Sequence, residues 1–304
     1  MILNISGRTD IVNYYTPWLL NRFKEGYVLS RNPLFPQKIL RYDLSPDKVD
    51  ALVFCSKNYK PILPYLSEIT AKYPTYFFYT ITAYGRDIEP NVPHIEDSVK
   101  TLLELEKIVG KNRIAWRYDP VLLTDRYTVQ THRKTFAYLC DALTRHVDRC
   151  IFSFVEIYRK LETNLPELRM MSNEEKLELA DSLGRIANEH EIPIQTCGTD
   201  EDFSRFGIRP SGCIALDVLG KANGIAFRKH KPEGTRKGCH CVATRDIGAY
   251  DTCPNGCHYC YANQNSALAR KNFLKHDRKS PLLFGKVEEG DIIIAANQKS
   301  LLLP

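Results

Sequence analysis

Long apolar runs are missing from this chain of 304 residues. No stretch approaches the roughly 18 consecutive apolar residues of a membrane-spanning helix, which predicts a protein with no membrane partner. The opening segment, Met1 to Asp10, also lacks the charged and apolar regions of a secretory leader, which predicts a cytoplasmic location. There is no Gly-x-Ser-x-Gly elbow, so a serine hydrolase of that type is excluded. Neither a Walker phosphate loop nor a dinucleotide fingerprint occurs, which removes the usual nucleotide-binding classes. No heptad, internal repeat or low-complexity tract stands out.

With 43% hydrophobic and 26% charged residues, the chain has the makeup of a globular protein with a sizeable core. Its net charge of +6 is uneven: from Lys221 onward there are 14 Lys and Arg against 7 Asp and Glu, leaving −1 for the first 220 residues. Such a basic tail is either a solvated surface or an attraction for nucleic acid, a phosphorylated ligand or an anionic cofactor.

Short β-rich runs alternate with helical patterns through the first 200 residues. The strand candidates are Ile2–Ser6, Ala51–Ser56, Tyr76–Thr82, Arg113–Arg117, Cys150–Val155 and Ile192–Cys197, each reading as a continuous buried strand. Helical stripes follow over Ser98–Val109 and Thr131–Val147, and Ser172 with Glu175 has the spacing of a capping box. About six repeats of this kind predict an α/β fold, a partial or closed parallel β/α barrel over residues 1–197. From residue 198 to 304 Gly, Pro and basic residues increase and periodicity fades, which predicts an irregular, Cys-rich cap.

Chemistry in parallel sheets collects at the carboxyl ends of the strands. The residues falling there are Arg8 and Asp10, Lys57, Thr80, Arg117 and Asp119, and Ser153 and Glu156. Arg8, Lys57 and Arg117 are suited to a carboxylate or phosphate, and the three carboxylates to an amine, ribose hydroxyls or proton transfer. Thr80 and Ser153 add polar contacts for a cofactor. The plainer alternative is local ion pairing within Arg8–Asp10 and Arg117–Asp119.

Ten cysteines are more than a cytosolic chain needs for packing. Cys55, Cys140 and Cys150 sit inside apolar runs and read as small core residues. The other seven cluster in the last third, where metal is a better reading than disulfides. Cys253, Cys257 and Cys260 form a C-x3-C-x2-C loop, a spacing that can wrap one centre and leave a position open. Cys197, Cys213, Cys239 and Cys241 supply four thiols, a full set for an auxiliary 4Fe-4S cluster or for a structural zinc ion. The basic flanks Arg228 to Lys231, Arg236-Lys237 and Arg270-Lys271 could offset cluster charge or guide an anionic substrate.

The stretch Cys253-Pro-Asn-Gly-Cys257-His-Tyr-Cys260-Tyr resembles the cluster loop of radical S-adenosylmethionine enzymes and is close to that of spore photoproduct lyase. The resemblance implies a 4Fe-4S cluster on Cys253, Cys257 and Cys260 whose open iron binds S-adenosylmethionine, and a 5′-deoxyadenosyl radical formed on reduction. It also implies a partial six-stranded barrel, Tyr259 beside the adenine, and an electron donor such as flavodoxin or ferredoxin. In that superfamily the loop follows the first strand, whereas here it follows the sixth repeat. Across most of the chain, the Ser-Gly-Arg-Thr-Asp start, the Arg-Tyr-Asp-Pro segment and the cysteine loop together resemble an uncharacterised bacterial family, a domain of unknown function.

Two functions follow as expectations. One is a redox enzyme acting on a small-molecule or nucleic-acid substrate, with Arg8, Asp10, Lys57, Arg117, Asp119 and Glu156 orienting cofactor and substrate. The other is a metal-stapled binding protein for nucleic acid or a phosphorylated ligand.

Overall fold

The computed structural model describes residues 1–210, 212–234 and 238–303. In chain order the strands are β1 (Ile2–Asn4), β2 (Tyr27–Arg31), β3 (Lys38–Asp43), β4 (Ala51–Ser56), β5 (Thr75–Thr80), β6 (Ile114–Val121), β7 (Arg149–Phe154), β8 (Ile194–Thr196), β9 (Arg245–Asp246) and β10 (Ile292–Ala295). The helices are α1 (Ile11–Tyr14), α2 (Thr16–Glu25), α3 (Leu66–Lys72), α4 (Ile95–Val109), α5 (Val129–Leu143), α6 (Leu161–Asn164), α7 (Asn173–Glu189), α8 (Leu216–Asn223) and α9 (Ser266–Phe273).

Seven strands build one parallel sheet in the order β8-β7-β6-β5-β4-β1-β9. The six expected strands are all in it, each beside its successor, and β9 adds a seventh next to β1. The closed barrel is not realised: among the described residues no sheet closes on itself, and β8 and β9 are its edges. A separate three-stranded sheet lies outside this series, with β2 pairing antiparallel and β10 parallel with β3. No helix is long and apolar enough to cross a membrane.

Period-two alternation divides the parallel sheet into two unlike faces. Leu52, Phe54, Phe77, Tyr79, Trp116, Tyr118 and Phe152 point one way and join a core with Leu102, Leu105, Phe136, Leu139, Leu179 and Leu183 from α4, α5 and α7. That helical covering follows from the sequence, since α4 and α5 bury the predicted stripes and α7 opens on a complete Ser172/Glu175 capping box. Cys140 and Cys150 lie fully buried in the same core, as expected. The other face carries Ile2, Ala51, Val53, Tyr76, Phe78, Ala115 and Ile151, and packs against Cys197, Cys213, Leu219, Cys241 and Val242. Its cover therefore comes from the chain after residue 196, including α8.

Candidate cysteine-lined site at the sheet mouth

The same alternation selects the polar residues of the site. Cys55, Thr80, Arg117, Asp119 and Ser153 share the parity of the second face and lie near the carboxyl ends of β4 to β7. Arg117 pairs in register with Thr80. Its guanidinium donates to Asp119 and, at 3.3 Å, to the Cys55 sulfur, while Ser153 donates to the other Asp119 oxygen. Cys55, expected to be a small core residue, is only half-buried at the margin of the second-face core, where parity turns it to the guanidinium. Burial disfavours the Arg117 charge, but Asp119 and then Cys55 outweigh it and hold its pKa above the ordinary value.

A second network joins the strand ends to the C-x3-C-x2-C loop. Asp10 is buried and accepts from Ser56 Oγ at 2.7 Å, from the Lys57 and Asn13 N–H groups at 3.0 Å, and from Asn255 Nδ2 at 3.0 Å. Burial pushes its pKa up, against the pull of those donors. Lys57 Nζ reaches Glu89 Oε1 at 2.8 Å, and the same oxygen accepts from Thr82 at 2.8 Å and from the Tyr259 hydroxyl. Burial works against the Lys57 ammonium; Glu89 first and Cys257 next overcome it and raise its pKa. Glu89 and Asn255 were missed by the sequence reading. Glu89 lies in the loop after β5, outside any strand-end pattern, so periodicity carried no signal for it.

The loop cysteines close over this network. Cys253 is buried, and Cys257 and Cys260 are half-buried; none of the three is in a disulfide. Burial, then the Asp10 carboxylate and Cys260, push the Cys253 thiol up to about 12. Burial and Glu89 raise Cys257 likewise. Asn263 ties the loop's ends, donating to the Cys253 carbonyl at 2.8 Å, and Gly256 turns with φ +70°. Lys160 lies beside Cys260 and donates to the Tyr261 and Asn263 carbonyls at 2.7 and 2.6 Å.

The remaining four cysteines meet on the second face of the sheet. The Cys213 sulfur is 3.6 Å from Cys197 and 3.2 Å from Cys241, and Cys239 hydrogen-bonds to Cys241. They form a row, and among the described residues no group of three or more His, Cys, Asp and Glu is arranged to hold a metal ion.

Two predicted residues have other partners. Arg8 bonds Asp246 at 2.7 Å and Ser30 at 3.3 Å, fastening β9 and β2 to the end of β1. Glu156 accepts from the Tyr158 hydroxyl. Of the basic flanks, Arg228, Lys229, Lys231, Arg270 and Lys271 are exposed, and Arg236 and Lys237 lie outside the described residues. The cations placed beside thiols are instead Lys57, Arg117 and Lys160.

A family model described as a domain of unknown function, DUF1848, matches residues 2–262. The chain belongs to the DUF1848 family. The match takes in the parallel sheet and all three loop cysteines of this DUF1848 chain, and stops before α9 and β10. No curated protein and no solved structure matches.

Proposed function

We propose that this chain is an iron–sulfur enzyme of the radical S-adenosylmethionine type, with Cys253, Cys257 and Cys260 as ligands of an open 4Fe-4S cluster. One observation carries the reading. The loop follows β9, and β9 lies at the sheet edge beside β1. Late in the chain, the loop thus comes first in space, after the edge strand from which β1, β4, β5, β6, β7 and β8 run in order. Ordering the strands by their place in the sheet puts the loop after the first of seven, which supports the reading.

The donor set fits the group. Three thiols outside any disulfide on one short loop suit iron and leave one position open. Burial raises Cys253 and Cys257, so binding a metal would displace protons from both. When bound, such a cluster supplies the electron that cleaves S-adenosylmethionine. The chain's own residues bind and orient. Lys57 and Arg117 offer cations to a carboxylate, and Asp119 and Glu89 offer acceptors to an ammonium or ribose hydroxyls. Tyr259, whose hydroxyl is held by Glu89, packs its ring 5.9 Å from Tyr84 and would stand beside the adenine. The reading requires a reducing, cytoplasmic setting and an electron donor of the flavodoxin or ferredoxin kind.

The test is iron and acid-labile sulfide in anaerobically purified protein, followed by EPR of the reduced form with and without S-adenosylmethionine. Iron with sulfide, an EPR change on adding S-adenosylmethionine, and release of 5′-deoxyadenosine are expected. Zinc without labile sulfide would remove the radical mechanism and leave a metal-stapled binding protein.

A further inference from the structure

We propose that Cys197, Cys213, Cys239 and Cys241 hold a single tetrahedral ion, zinc by the softness of an all-thiolate set, in place of the auxiliary cluster expected from counting. The proposal is independent of the radical reading, because it uses none of the loop residues.

Spacing distinguishes the two centres. Around one zinc, bonds of about 2.3 Å at tetrahedral angles put neighbouring sulfurs about 3.8 Å apart. The sulfur contacts at Cys213 are 3.6 and 3.2 Å. In a cubane each thiolate sits on a different iron, so its sulfurs stand further apart by the width of the cluster. Cys213 and Cys241 already touch, and swinging the end thiols of the row, Cys197 and Cys239, inward would complete a shell around one ion.

The backbone is shaped to deliver these side chains. Gly198 follows Cys197, Gly212 precedes Cys213 and Gly238 precedes Cys239, with φ of +62°, +133° and +70°. L side chains rarely adopt those conformations. A Cβ at Gly238 would also stand 2.7 Å from the Thr199 carbonyl carbon, so the two segments approach here as only glycine permits.

Two donor groups lie near these sulfurs. The Ile214 N–H points at Cys241 Sγ at 3.3 Å. The Arg117 guanidinium lies within electrostatic reach of Cys197 and Cys213, and its buried Nε has no hydrogen-bond partner. Asp119 and Cys55 hold the guanidinium in place, and a tetrathiolate centre, which carries net negative charge, would add to their attraction. With four ligands from the chain, the site is closed and therefore structural. It would staple the end of β8, the approach to α8 and the approach to β9 onto the sheet's second face.

The experiment counts metal and sulfide in the Cys253→Ala/Cys257→Ala/Cys260→Ala variant, which lacks the loop ligands. About one zinc per chain without sulfide is expected, lost on adding Cys213→Ser. About four irons with four sulfides would overturn the proposal in favour of a cubane, and a metal-free protein with free or disulfide-bonded thiols would overturn it outright. Failure of the loop to bind iron in the unmutated chain would count against the radical reading alone. A second measurement guards against misfolded variants: the unmutated protein expressed with cobalt should show tetrahedral thiolate–cobalt absorption bands. The faint spectrum of octahedral cobalt would overturn the site.

Discussion

Glu89 collects three donors on one carboxylate oxygen, and only one of them, Lys57, carries a charge. Both partners are buried, at 3% and 11% side-chain exposure, so neutralising Glu89 strands an ammonium in a poorly solvated place. Glu89→Gln is expected to cost about 3–5 kcal/mol in urea unfolding, whereas a Lys57→Met/Glu89→Leu double variant, which removes both charges, should cost clearly less. Equal losses in the two would mean that the pair's charges do not matter. At Asp10 the four donors present only N–H and O–H groups. Asp10→Asn turns an amide against at least one of them, and a loss of about 1–3 kcal/mol is expected by the same measurement.

Among the elements, α7 places Gly184 mid-helix, where replacement by alanine ordinarily gains about 1 kcal/mol. Here the added Cβ would stand 2.3 Å from the Phe206 carbonyl oxygen of the 3-10 turn Ser204–Phe206. Gly184→Ala should therefore destabilise, by about 1–3 kcal/mol from overpacking, and a stabilised variant in urea unfolding would refute the close approach. In the small sheet, Asp291 precedes β10 and pairs with Arg31 of β2 through two contacts, at 2.6 and 2.7 Å. The hydrogen bonds from Arg31, ahead of the Glu288 N–H, hold the Asp291 pKa down at about 2. A depressed carboxylate pKa stabilises the folded state above the ordinary value near 3.8, and that stability is lost as pH falls toward 2. Hydrogen-exchange protection factors at Ile292–Ala295 should then fall over that window, and Asp291→Asn should already show the lower protection at neutral pH.

Over the whole molecule, the cover of the sheet's second face is built from segments that contribute little regular structure, and α8 is only eight residues long. A zinc staple there would make folding and metal binding one equilibrium. Removing zinc with a strong chelator is expected to lower the unfolding midpoint by on the order of 10 °C, restored by adding zinc back. A midpoint indifferent to chelation in calorimetry would mean that the cover holds by packing alone.

Six strands of the parallel sheet were legible because each is buried on both sides, so its apolar run stands out against the helical stripes between. Cys140, Cys150 and the α7 capping box were legible for the same local reason. β9 and β10 were not: two residues at an edge, or four exposed ones, leave no periodic trace, and their pairing is set by contacts with β1 and β3 across most of the chain. The sequence set three thiols apart by their spacing on one short loop and left the other four by counting, and only packing brought those four together on the second face. Which cation faces which thiol was a matter of packing. Parity turned Cys55 and Arg117 to the same face, a loop after β5 brought Glu89 to Lys57, and Asp246 took Arg8 out of the mouth. Pairings between residues so far apart in the chain exist only once the strands are side by side.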